Sequence, residues 1–302
     1  MKSRKIKFFS IATVSLVVVA IAAYFVITKI VIPNSEYNSA VALVNEGKYA
    51  EAIKAFEEMN GYKDSAEKAK EIYSQHKVDI IRDASVGEKV FFGTYEQDND
   101  TSNGKEDIEW IVLAKEDKRA LVISKYALDS QPFNTSPADV TWETCSLREW
   151  LNGVFYDSAF SSEERNSILS STVTADKNPQ YSTSPGNDTT DKVFLLSIPE
   201  AEKYFKSDAS RKCQGTAFCF AQGAIEGENG NCEWWLRTPG SFSYMATTVS
   251  GFGDGITDTV SIVILDLIGH DVSRVGSIEH SGGVVEIEYF AVRPAMWINL
   301  EA

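Results

Sequence analysis

Residues 231–240 read NCEWWLRTPG, two adjacent tryptophans followed by an arginine and a Pro-Gly turn. The run is extended in character, and neighbouring residues on a strand point to opposite faces. One indole is therefore expected in the core, its neighbour toward a loop region or solvent. Trp235 is taken as the core member, with Arg293 of the later VRPA segment bracing nearby carbonyls or a carboxylate. Trp234, Arg237 and the downstream aromatics Phe242, Tyr244 and Phe252 are then the candidate ligand contacts. Indole faces suit sugar rings as well as cations.

Upstream of this strand, KVFFGTYEQ (89–97), IEWIVLAKED (108–117) and RALVISKYAL (119–128) are short segments rich in β-branched and aromatic residues, separated by polar turns. SLREWLNGVF (146–155) has helical spacing, with Thr144 or Ser146 as its cap and Leu147, Trp150 and Leu151 facing inward. Ser161/Glu164 and Ser197/Glu200 have capping-box spacing, and Pro199 suits a first helical turn. DKVFLLS (191–197) reads as a buried strand, and the chain ends in the strand-like EYFAVRPAMWINL (288–300). Strands at both ends and helices between them predict a mixed α+β head.

Before the head, Lys2, Arg4, Lys5 and Lys7 precede a run from Phe8 to Thr28 without a charged residue. That length crosses a hydrocarbon core of ~30 Å as a helix, and the leading basic residues belong on the cytoplasmic side. The expectation is a single-pass membrane protein anchored through residues 8–28, with its C-terminal domains extracellular. A cleaved signal peptide is the competing reading, but its apolar core is normally shorter and no convincing small-x-small site precedes Pro33. Beyond residue 32 there are 24 Lys and Arg against 43 Asp and Glu, a net charge of −19. Such a surface repels nucleic acid, whose binding requires phosphate neutralisation by Lys and Arg.

Val41, Leu43, Val44, Tyr49, Ala52, Ile53 and Phe56 recur at helical spacing, and Gly47 divides a first helix from a second. Asp64 is a candidate N-cap for a third helix, with Ala66, Ala69, Ile72 and Tyr73 on one face. EGKYAEAIKAFEEM resembles a tetratricopeptide hairpin, though only about one and a half repeats are present.

Several constellations bear on chemistry. In DNDTSNGKEDIE, Asp98, Asp100, Ser102 and Glu109 fall at positions 1, 3, 5 and 12 of a calcium loop. The glycine comes one residue late and the flanks are strand-like, so a polar hairpin turn explains the same residues. Asp254, Asp258, Asp266 and Asp271 supply carboxylates from which a glycoside hydrolase pair could be drawn, but nothing singles out two of them. His270 and His280 lie near Asp271 and Glu279 without metal-ligand spacing, and His76 belongs to the helical segment. No nucleophile-elbow, P-loop or dinucleotide motif is present. The four cysteines, Cys145, Cys213, Cys219 and Cys232, allow three disulfide pairings and form no zinc pattern.

The order FGTYEQ, IEWIVL, LVISKYALD, TWETCSLREWLNGVFYDSAFSSEE, DKVFLLSIPEAEKYF, WWLRTPG, VRPAMWINL resembles the bacterial domain-of-unknown-function family numbered 6273, across about Gly87 to Leu300. The resemblance implies a fold similar to C-type lectins and formylglycine-generating enzymes, preceded by an anchor and a tetratricopeptide-like stalk. It also implies a Cys213–Cys232 disulfide and a cysteine at the position of Ser130, whose replacement leaves Cys145 without its expected partner. Formylglycine-generating oxidases carry a close copper-binding cysteine pair near the C-terminus, and Cys219 and Cys232 sit before that place. The segment after WWLRTPG is longer than the family pattern and contains the apolar run VSIVILDLIG (260–269), read as added strand or exposed contact surface.

The resulting expectation has three parts: tail and anchor (1–33), helical stalk (34–80) and C-type-lectin-like head (85–302). Its function is non-catalytic binding of an extracellular ligand, a glycan or a peptide, with an extracellular glycan or protein as partner and no cofactor beyond the calcium candidate. The alternatives are a carbohydrate-active hydrolase using carboxylates of the 241–290 insert, and an assembly protein acting through the stalk.

Overall fold

The computed structural model describes residues 16, 18–252 and 275–301, and the chain divides into two compact units, Met1–Asp83 and Ala84–Ala302. Most of the charge-free run expected to form the anchor falls within the described residues, but residues 8–15 and 17 lie outside them.

In the first unit one helix, α1 (Val18–Asn45), is long and apolar enough to cross a membrane, and its first turns expose their aliphatic side chains. A π-helical turn at Ile27–Val31 interrupts its α-helical bonding, and Pro33, which has no N–H to donate, lies just after that turn. Gly47, at φ +75°, reverses the chain into α2 (Tyr49–Glu58). α3 (Ser65–Gln75) and α4 (Lys77–Asp83) complete the unit. Ala40, Ala52, Phe56, Ala69 and Ile72 form its core. Three of the five are alanines, which lets the helices approach closely. Asp64 precedes α3, but its side chain caps nothing; Oδ1 accepts from the Tyr37 hydroxyl at 2.6 Å. His76 stacks on Tyr49, with ring centroids 3.6 Å apart.

The second unit is mixed α+β. β1 (Lys89–Tyr95), β2 (Glu106–Glu116) and β3 (Arg119–Ser124) form an antiparallel meander. β4 (Asp129–Ser130) then leaves for a second sheet. A helical stretch comes next: α5 (Ser146–Trp150), a π-turn (Leu151–Phe155), α6 (Tyr156–Ala159) and α7 (Ser162–Ser167). It gives way to the small hairpin β5 (Ser171–Val173) and β6 (Thr189–Asp191), then β7 (Val193–Phe194). The short helices α8 (Ile198–Tyr204), α9 (Asp208–Arg211) and α10 (Ala217–Ala221) lead to β8 (Trp234–Pro239) and β9 (Met245–Val249). β10 (Ile278–Val284), β11 (Ala291–Val292) and β12 (Ala295–Asn299) end the chain.

The two five-stranded sheets have the orders β1-β2-β3-β12-β7 and β10-β9-β8-β11-β4. The last strands join them, because the chain leaves the second sheet at Val292 and enters the first at Ala295. Arg293 and Pro294, which cross between them, are both buried.

Both expected capping boxes are formed: Ser161 and Ser197 each accept from the N3 amide, and Glu164 and Glu200 reach back. α5 departs from expectation. Its N-cap is Cys145, without a side-chain cap bond, and the Ser146 hydroxyl instead accepts from the Thr135 amide. Leu147 and Leu151 are buried, but Trp150 is only half-buried, tilted against Phe155, and is not a core residue. Trp110 and Trp142 take that role. DKVFLLS is not one strand: Asp191 ends β6 and Val193–Phe194 form β7, and Leu195 and Leu196 are buried beyond it. The apolar run 260–269 lies outside the described residues.

Candidate functional site

β8 lies in the middle of its sheet, and all six of its residues are buried. The expectation of one open indole is therefore overturned. Trp235 packs edge-on against Phe290 and Phe133, and its Nε1 donates to Gln131 O at 3.0 Å. Trp234 is equally buried: its Nε1 donates to Arg211 O at 3.3 Å and the Arg293 guanidinium lies 5.0 Å from its ring centroid. The alternation of faces holds, but both faces of β8 are covered. Arg293 is buried and donates to Ser124 O and Arg211 O, so it braces carbonyls.

Arg237 is not available to a ligand either. It donates to Leu195 O at 2.8 Å and Thr174 O at 3.2 Å, and pairs with Asp176 and Glu200. Glu200 is also the N3 residue of α8, so one carboxylate both closes the capping box and neutralises a buried cation.

The remaining candidates separate into two places. Phe242 and Tyr244 sit at the tip of the β8–β9 hairpin, 56% and 42% exposed. Their rings are stacked, with centroids 5.4 Å apart and planes 3° from parallel. The backbone beneath them is held on several sides. Gly240 N donates to Met245 O at 2.7 Å, Ser241 N to Ser281 O at 2.8 Å and Val140 N to Ser243 O at 3.0 Å. A side chain at Gly240 would run into the Ser281 carbonyl, so the hairpin is seated on β10 as only glycine permits. Ser243 Oγ donates to Asp139 at 2.6 Å, and Thr183 Oγ1 donates to Ser241 O at 3.1 Å. The Thr183 loop also exposes Tyr181. Sequence reasoning misses Asp139 and Tyr181 because they are ~60–100 residues from the hairpin along the chain.

Phe252 lies beyond the other end of β9, separated from Tyr244 by about 17 Å of strand at ~3.4 Å per residue. It is half-buried against Gly227. It does not belong to the same contact surface.

The calcium candidate is rearranged. Glu109 is drawn away by Lys89 at 3.3 Å and by Lys125. Asp100 and Ser102 bond to one another within the turn, Ser102 Oγ donating to Asp100 Oδ1 at 2.6 Å. Of the expected set only Asp98 converges with other carboxylates, those of Glu96 and Glu106. Neither glutamate stands out in the sequence; the register ends with Tyr95 paired to Glu106, so the three acids meet where the strands give way to the turn.

All four cysteines are buried free thiols, so the Cys213–Cys232 disulfide expected from the family is not formed. The two residues are adjacent nevertheless, with Cys232 N donating to Cys213 O at 2.9 Å. Contact with Cys213 pulls the Cys232 thiol down, but contact with Cys219, then burial, outweighs it and holds the thiol well above its usual range. Burial likewise raises Cys213, and pushes Cys145 up to about 12. Ser130, where the family pattern has cysteine, donates from its hydroxyl to Glu288 O and Phe290 O.

His280 Nδ1 lies 3.1 Å from Ile278 O, and Glu279 accepts from Ser277 Oγ at 3.0 Å. Asp254, Asp258, Asp266, His270 and Asp271, on which the hydrolase and histidine-metal readings drew, lie outside the described residues. A pair that sequence does not single out is half-buried Tyr95 and buried Asp129, joined by the Tyr95 hydroxyl. Burial raises both groups, and Gln131 Nε2 and Ser130 N complete the Asp129 carboxylate's partners.

Residues 117–300 match the protein family described as Domain of unknown function (DUF6273). The matched span begins just past β2, some thirty residues later than the motif order implies. No curated protein and no solved structure matches the chain.

Proposed function

This chain belongs to the DUF6273 family, and from that premise we propose that it is a membrane-anchored, non-catalytic protein whose head binds an extracellular ligand, a glycan before a peptide. The observation that carries this reading is the Phe242–Tyr244 stack. Two large aromatic rings stand in water at a hairpin tip whose backbone is tied down by β10, by residues 139–140 and by the Thr183 loop. Their outer faces are flat and apolar, with the donors and acceptors of Asp139 and Ser243 beside them. That is the combination a sugar ring recognises, through its C–H face and its hydroxyl rim. In this reading the head is lectin-like, the first unit is a tetratricopeptide-like stalk, and the basic residues before α1 leave both outside the cell.

The test is a glycan and peptide array probed with the full chain in detergent, with titration of the best hit. Phe242→Ala and Tyr244→Ala should each weaken binding about tenfold or more, the scale of one lost stacking contact. Stability should move by less than about 0.5 kcal/mol, as for exposed residues. Full binding by the double variant, or an array without hits, refutes the proposal.

A further inference from the structure

We propose that the β1–β2 hairpin carries a binding site for a hard divalent cation, calcium in particular, formed by Glu96, Asp98 and Glu106. One carboxylate oxygen from each residue lies within 4.8 Å of the others. That upper bound is about the span across two opposed Ca–O bonds of ~2.4 Å, so the three oxygens are close enough together for one calcium ion. The site does not rest on the ligand-binding reading above; it lies on a different hairpin in the other sheet.

Clustered acids alone are common on protein surfaces. This cluster differs in Glu96, which is only 8% exposed and whose Oε1 is buried without a hydrogen-bond partner. A buried carboxylate oxygen with no donor is costly unless a positive charge faces it. The nearby lysines do not supply one. Lys105 Nζ donates to Ser158 O at 2.6 Å, and Lys89 and Lys125 are engaged at Glu109.

The other two carboxylates are positioned by backbone and side-chain donors. Glu106 Oε2 accepts from Gln97 N at 2.7 Å and Asp98 N at 3.3 Å. Asp98 Oδ1 accepts from Asp100 N at 2.8 Å, and Oδ2 from Asn103 Nδ2 at 2.7 Å. An all-oxygen donor set on a partly exposed loop suits calcium, which takes six to eight oxygens in irregular geometry and fills the remainder with water.

The experiment is calorimetric titration of the full chain in detergent with calcium chloride, with thermal melts in parallel. One site with a dissociation constant of about 10⁻⁴–10⁻³ M is expected, the range of extracellular calcium modules. Glu96→Gln and Asp98→Asn should each weaken it at least ~10-fold, and Glu109→Gln should leave it unchanged. Without calcium, Glu96→Gln should melt no lower than the parent chain, which shows that its lost binding is not misfolding. Calcium should then raise the melting temperature of the parent but not of Glu96→Gln. Absence of a calcium-dependent signal up to about 10 mM, or binding that Glu96→Gln and Asp98→Asn both leave intact, overturns the proposal.

Discussion

Arg237 illustrates how a residue type is ambiguous until its neighbours are known. In sequence it comes just after two tryptophans and suggests a ligand contact. In the structure its side chain is 2% exposed and meets two carbonyls and two carboxylates drawn from residues 174–200. Its removal leaves Asp176 and Glu200 without their cation and unpairs buried carbonyls. Arg237→Ala should therefore cost about 3 kcal/mol, the low end for breaking a buried pair because both carboxylates keep some water. Urea denaturation of the full chain measures this, and a loss below about 1 kcal/mol would contradict the bracing role. Trp234 carries the same lesson. Its alternation with Trp235 is legible in the sequence, but what covers each face is not, because the covering groups come from Arg211, Arg293, Phe133 and Phe290.

Among the elements, the β1–β2 hairpin shows two uses of glycine. Gly93 lies where the pairing register shifts, between Phe91 and Thr94, at φ +72°. A Cβ there would stand 2.5 Å from Phe160 Cδ1 and 2.7 Å from Ala159 O. Gly93→Ala therefore combines left-handed strain with overpacking, and should cost about 2–4 kcal/mol. Gly104, at φ +100° in the same hairpin, has open space around its would-be Cβ. Gly104→Ala should incur the strain alone, about 1–2 kcal/mol. Thermal melts of the two variants separate the terms, and equal losses would show that the Phe160 contact is unimportant. The capping boxes are readable at this scale because each is closed within four residues. The hairpin register is not, and with it goes the identity of the acids that converge.

For the whole molecule, the apolar α1 and the net acidity of the chain beyond it make one more expectation concrete. The full chain should sediment with membranes and resist alkaline carbonate, because α1 is long and apolar enough to cross a hydrocarbon layer of ~30 Å. A chain lacking residues 1–31 should appear in the soluble fraction. Fractionation and immunoblotting distinguish the two, and carbonate release of the full chain would rule out a spanning helix.

By itself, the sequence determined the apolar N-terminal helix, the helical segment punctuated at Gly47, the α+β order of the head and the family. Each depends on residues close together or on motifs in linear order. Tertiary structure alone decided that both faces of β8 are buried, that Phe242 and Tyr244 stay in water, and that Asp98 joins Glu96 and Glu106 rather than Glu109. The physical reason is that burial and charge pairing are set by strand register and by partners as far as 169 residues away along the chain. A side chain's own neighbours along the chain do not reveal which of its faces the rest of the fold will cover.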